Sequence, residues 1–459
     1  MSDFDTVIRG TLVNEDGVTE GGFVAVRDGK IAMLGAGAPP AARETHDFGE
    51  ALVLPGTIDG QVHSRSQKDQ EDFIWSTRSA AAGGVTTIVD MPYDAGGKLI
   101  CTAELLTEKA ESAAEQARID FALYGTIRPS EGALHIAEMA KAGAIGFKFS
   151  TFETDPNRFP RIPTPLLHAA FTEVAKTGLI AGVHNENDEC VKVWSEAVKA
   201  TGRTDYRTHG DSRPAIAETL AIAEVYEIAE ATGCSAHIVH CSVGRGYEMA
   251  QAYRQQGVDA TIEACIHYLV CSEEEDVSRL IGRAKCNPPI RSAKEREKIW
   301  EHLAAGHVTI VSTDHVSWSL SAKSSKVMLE NSSGMPGLEV LPSLLLDGLT
   351  DRDLPLTHAP RLLASNPARL FRLADQKGSL AIGLDADIAV FAERPRLYDA
   401  AASGHNVVGW SPYEGRRIRH AAIATFQRGG LIFDGTHVLA QPGAGRFIRP
   451  SVNALTPTA

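Results

Sequence analysis

VLPGTIDGQVH (53–63) is a short apolar run of β-formers that closes on two polar side chains, Gln61 and His63. The same design recurs in TTIVDMP (86–92), IDFALYG (119–125), AIGFKFS (144–150) and LIAGVHNEN (179–187). It returns in SAHIVHCS (235–242), DATIEACIHYL (259–269) and VTIVSTDH (308–315). Near-continuous apolar runs of this length suit strands buried on both faces. Helical stretches such as STRSAAAGG, TAELLTEKAESAAEQA and PAIAETLAIAEVYEIAEATG separate most of them. Eight buried strands alternating with helices predict an α/β fold, a parallel (β/α)8 barrel of the TIM type over residues 53–377. A doubly wound open sheet would carry a glycine-rich phosphate loop after its first strand, and DGQVHSRSQ is nothing like one.

Both flanks of the barrel have a different rhythm. TVIRGTLVN, GGFVAVRD and KIAMLGAG at the start, and ADIAVFAE, AAIATFQRGG and LIFDGTH at the end, are short strands punctuated by turn residues. They predict a second, smaller β-sandwich-like domain that pairs residues 1–52 with residues 378–459.

Composition narrows the function classes. Of 459 residues, 43% are hydrophobic and 22% charged, an ordinary soluble globular balance. The net charge of −13, with no long basic run, excludes a nucleic-acid footprint. No apolar stretch reaches the ~18 residues of a membrane helix, and MSDFDTVIRG lacks the layout of a signal peptide. Seven cysteines without a CxxC pair argue against a disulfide framework, so a reduced, cytoplasmic protein is expected.

Residues suited to a metal fall at the strand ends: Gln61 and His63, Lys148, His184, His240 and Asp314. Barrel enzymes place their catalytic groups there. Neutral imidazoles bind borderline divalent metals, and a carboxylate adds a hard anionic oxygen. Each residue alone has an ordinary reading: a hydrogen-bonded strand-end histidine, a half-buried lysine, an aspartate capping the next helix. Their recurrence in one register makes coincidence the poorer explanation. His237, three residues before His240, is expected on the opposite face of its strand, packed outside the barrel.

These motifs resemble those of the cyclic amidohydrolases, the family of allantoinases, dihydroorotases, hydantoinases and dihydropyrimidinases. LPGTIDGQVHSR resembles the first metal motif, AAAGGVTTIVDMP the second strand, GFKFS the modified-lysine strand, VHNEN the fifth and AHIVHCS the sixth. STDH is similar to the catalytic-aspartate motif, and SNPARLF and KGSLAIGLDADIAVF to the return into the small domain. The resemblance implies an N6-carboxylysine at Lys148 bridging two divalent metals, zinc foremost, with manganese, cobalt or iron as alternatives. His63 and Asp314 would hold the more buried ion, His184 and His240 the more exposed one. A bridging water would be deprotonated and attack the ring carbonyl, with Asp314 shuttling the proton to the leaving nitrogen. It also implies a homo-oligomer, commonly a tetramer, and a small cyclic amide, ureide or imide as substrate.

Where the family has His-x-His, this chain has Gln61-Val62-His63. A neutral amide oxygen is a weaker ligand than imidazole, so Gln61 is expected to be a weak or lost ligand, and the buried site under-occupied. Some relatives of this fold have lost catalysis and serve as scaffolds, but here five of the six positions survive. Dihydroorotase carboxylate contacts are mostly missing: Arg65 is kept, while MPYD and DHVSW put Tyr93 and Trp318 at other positions. FKFSTFETD offers no tyrosine of the dihydropyrimidinase kind, whereas HNEN, DSRPAIAE, EACIHYL and WSPYEGR are allantoinase-like. Two aromatics at the pocket wall would suit a ring larger or more apolar than allantoin. Arg65, Tyr93, Asn287, Trp318, Ser332, Ser333 and Gly334 are the expected substrate contacts.

Overall fold

The computed structural model describes residues 3–67 and 71–451. Four strands come first: β1 (Phe4–Asn14), β2 (Gly17–Arg27), β3 (Lys30–Ala36) and β4 (Ala42–Pro55). The β2–β3 turn is Asp28-Gly29, with φ of 52° and 77°, the doubly left-handed pair that a tight hairpin needs.

The chain then enters the barrel through β5 (Thr57–Val62) and β6 (Val85–Asp90), followed by a small hairpin of β7 (Tyr93–Asp94) and β8 (Lys98–Leu99). The barrel continues with β9 (Asp120–Gly125), β10 (Gly146–Ser150), β11 (Ile180–His184), β12 (Ala236–Ile238), β13 (Ala260–Cys265) and β14 (Ile310–Ser312). After it, β15 (Ile388–Leu397), β16 (Arg417–Gln427) and β17 (Gly430–Phe433) return to the first four strands. They form one seven-stranded sheet in the order β17-β16-β15-β4-β1-β2-β3, so both chain ends build the smaller unit.

Eight parallel strands in the order β14-β13-β12-β11-β10-β9-β6-β5 make the barrel wall. A bridge between Val62 and His315 closes its seam, and the His63 N–H donates to the His315 carbonyl at 2.9 Å. Asp59 braces that seam from inside. Its carboxylate accepts the Thr313 hydroxyl at 2.5 Å and the Gln61 and Thr313 N–H groups at 3.2 Å each. Ile58, Ile180 and Ile310, near the start of their strands, pack with Tyr124 and Phe371 in one apolar cluster. The amino ends of the strands are thereby filled with hydrocarbon, and the polar residues cluster at the carboxyl ends.

A buried ion network ties the barrel to the sheet. Lys377 Nζ pairs with Asp120 at 2.7 Å and also with Asp387, and Arg428 reaches the same Asp120 oxygen at 2.6 Å. Asp120, Asp385 and Asp387 are close enough to hold an ion, but Lys377 and Arg428 already neutralise them. Among the described residues no helix is long and apolar enough to cross a membrane.

Candidate active site

A cavity of about 330 Å3 opens at the carboxyl ends of the strands. Gln61, His63, Lys148, His184, His240 and Asp314 all line it. So do Tyr93, Asn287, Trp318, Ser332, Ser333 and Gly334. Arg65 does not. Its guanidinium is taken by Asp72 at 2.6 Å and by the Ser112 hydroxyl at 3.0 Å, and it lies over the Phe73 ring. The expectation that Arg65 binds substrate is therefore corrected: the side chain anchors the helix Phe73–Ala82.

Two strand ends bend unusually to aim their side chains. His240 and Asp314 follow the last residues of β12 and β14 and have φ of 41° and 49°. Left-handed backbone costs a non-glycine residue about 1–3 kcal/mol, and such strain concentrates at functional sites. The bend also corrects the reading of His237. Its ring lies inside the barrel, with Nδ1 2.9 Å from the Thr261 hydroxyl and Nε2 3.5 Å from Glu263. Gly182, its register partner, faces Lys148. Strict alternation fails after Ile238, so His237 and His240 both face inward.

The histidines are oriented by partners. His184 directs Nε2 at the Glu186 carboxylate (2.9 Å), which also pairs with Arg213. A proton held on Nε2 leaves the His184 Nδ1 lone pair free, and Nδ1 stands 3.0 Å from His240 Nε2. The other His240 nitrogen is buried without a partner. Burial pushes both imidazoles below their ordinary pKa, His240 well below it, which keeps them neutral. Two neutral imidazole nitrogens converging at this distance, with a carboxylate fixing one tautomer, are a donor set that fits a borderline divalent ion.

Across the cavity, Asp314 Oδ1 receives two side chains, His63 Nε2 at 2.9 Å and the Gln61 amide nitrogen at 3.0 Å. Burial alone would raise the Asp314 pKa. The hydrogen bond from His63, with its charge, outweighs it and holds the carboxyl well below the usual range. Gln61 Oε1 is left buried with no partner. Tyr93, expected as a wall aromatic, sends its hydroxyl to His63 Nδ1 at 2.8 Å. Lys148 is 2% exposed, and its Nζ lies 5.3 Å from the centre of the Phe159 ring. Desolvation brings its pKa down to about 8.

The loop 331–334 is already held. Lys323 Nζ donates to the carbonyls of Ser332 and Gly334, and Trp318 Nε1 to that of Ser333 at 2.8 Å. Ser333 Oγ donates to Asn287 Oδ1 at 3.2 Å. The sequence reading missed Glu186, Arg158, Arg213 and Phe159. Glu186, two residues beyond His184 in HNEN, carried a usable signal, since i and i+2 share a strand face. The others come from loops, where side-chain direction has no period.

Residues 52–420 match the family model described as the amidohydrolase family. An allantoinase of Rubrobacter xylanophilus is 37% identical over 453 residues, covering 98% of each chain. An L-hydantoinase of Paenarthrobacter aurescens is 30% identical, covering 97% of this chain and 98% of its own. The solved L-hydantoinase (dihydropyrimidinase) from Arthrobacter aurescens superposes with a TM-score of 0.93 at 29% identity, covering 97% of this chain and 100% of its own. The chain belongs to the amidohydrolase family, and within it to the cyclic amidohydrolases.

Proposed function

We propose that the chain opens a cyclic ureide of the allantoin or hydantoin type by hydrolysing a ring amide C–N bond. The observation that carries this reading is the convergence of His184 Nδ1 and His240 Nε2 in a cavity shared with Lys148 and Asp314. His184, His240 and a modified Lys148 would hold a divalent metal, zinc foremost, with manganese, cobalt or iron as alternatives. When bound, it supplies a Lewis acid that acidifies water and polarises the ring carbonyl.

The side chains do the remaining work. Lys148, as the neutral amine, would add to carbon dioxide and lose a proton, becoming an anionic carbamate able to hold the ion together with His184 and His240. Asp314 is the general base. Held through Oδ1, it accepts a proton from the attacking water and returns it to the nitrogen as the C–N bond breaks. A neutral amide oxygen, Gln61 Oε1, stands where an imidazole would be the stronger ligand, which supports one metal at the histidine pair and a weak place beside His63. The Asn287 amide nitrogen and the Ser333 backbone N–H, without partners among the described residues, are suited to the ring carbonyls. Trp318 supplies an apolar wall.

A side-by-side assay of allantoin, hydantoin, dihydrouracil and a cyclic imide tests the reading. Ring opening of a five-membered ureide, by a preparation carrying about one metal equivalent per chain, is expected from this ligand set. Failure to open any of the four would overturn it.

A further inference from the structure

Among the described residues, Arg158 stands on the cavity wall with no salt bridge. It comes from the loop after β10, lines the cavity, and places its guanidinium 5.2 Å from the centre of the Tyr93 ring. Tyr93 holds His63, so this charge stands beside a residue that braces one of the strand-end histidines of the same cavity. Among the described residues the guanidinium makes one polar contact, from Nη1 to the Ser66 carbonyl at 3.3 Å. Its Nε is buried with no acceptor.

Neighbouring charges are already committed. Arg213 is paired with Glu186, and Arg161 with Asp188 at 3.0 Å. Asp155, close to Arg158 in sequence, uses one oxygen for the backbone N–H groups of Asn157 and Arg158 at 2.9 Å each, and its charge reaches the Arg158 guanidinium without a salt bridge. Glu153 also lines the cavity, and it accepts the Arg161 backbone N–H at 2.6 Å. A half-desolvated guanidinium with no carboxylate bonded to it among the described residues has its N–H fork free, and that fork matches a carboxylate in two-point fashion. A bare hydantoin ring offers no such group.

We propose that the natural substrate is a cyclic ureide carrying a carboxylate arm, and that Arg158 binds this arm while the ring sits at the histidine pair. This rests on the hydrolase reading above. It moves carboxylate recognition from Arg65, which is paired with Asp72, to Arg158, whose guanidinium lines the cavity. The arm would hold one face of the ring toward Asp314, so Arg158 is a specificity residue.

The probes are hydantoin and hydantoin-5-acetic acid. In the holoenzyme the acid should have a kcat/KM about tenfold or more above that of hydantoin, the range expected of a charged hydrogen bond. Arg158→Met should erase that ratio mainly through KM, and Arg158→Lys should retain part of it. Calorimetric binding of both probes to the metal-loaded Asp314→Asn protein gives a readout independent of turnover. Tighter binding of the acid, lost on adding Arg158→Met, supports the inference. Equal binding of the two probes, or an Arg158→Met variant that weakens both alike, overturns it. If neither probe is opened, the calorimetric comparison alone decides the role of Arg158, and the four-ring assay decides the hydrolase reading.

Discussion

At the scale of single residues, the proposed chemistry rests on Asp314 and Lys148. Asp314→Asn keeps an oxygen for His63 and Gln61 but removes the proton acceptor. Turnover should drop by about 10^2–10^4, while metal content by elemental analysis stays near the wild-type level. An active Asp314→Asn enzyme would move the proton shuttle elsewhere. Lys148 allows a pH prediction. Its pKa is brought down to about 8 in the folded protein from the ordinary 10.5, so the neutral, nucleophilic amine is populated two or so pH units earlier than in an exposed lysine. At a fixed concentration of dissolved carbon dioxide, reactivation of the metal-stripped enzyme should therefore accelerate up to about pH 8 and then level off. A rate still climbing toward pH 10 would show an ordinary lysine. Most residues that line the cavity were legible in the sequence, because polar side chains at the ends of regular strands announce themselves by position. Arg65 was misplaced because an arginine beside a motif has the same sequence signature whether it reaches substrate or, as here, Asp72. Tyr93 was found for the wrong reason, its ring face, when its hydroxyl contact to His63 is the stronger feature.

Among the elements, β5 and β14 decide whether Gln61, His63 and Asp314 meet. Asp59 joins them, and burial brings its pKa up to about 7 against the hydrogen bonds from Thr313 and Gln61. Thr313→Val removes the hydroxyl donor and leaves the buried carboxyl short of one partner. Urea denaturation should show a loss of about 1–3 kcal/mol, together with lower turnover as the two strand ends loosen. A variant as stable and active as wild type would show that the seam does not depend on this contact. The barrel strands could be read from the sequence because apolar runs and their spacing are local properties. The left-handed bends at His240 and Asp314 could not, since alternation assumes extended backbone throughout. That assumption put His237 on the wrong side of the wall.

At the scale of the whole molecule, the barrel and the seven-stranded sheet are held by Lys377, Asp120, Asp387 and Arg428. Lys377→Met strands buried carboxylates without their cation, at a cost of about 3–5 kcal/mol by chemical denaturation. Little change would mean that water reaches the network and replaces the lysine. The pairing of the chain ends was legible from their strand-rich composition, whereas the network was not, because Lys377 and Asp120 lie 257 positions apart. The central claim is that this barrel mouth is a metal-dependent site for opening a cyclic amide. Its most direct test follows ring opening of hydantoin and allantoin by protein stripped with a chelator, then reloaded with zinc and bicarbonate. The account predicts loss of turnover on stripping and recovery on reloading for at least one ring. Full turnover by the stripped protein, or none after reloading, would contradict it.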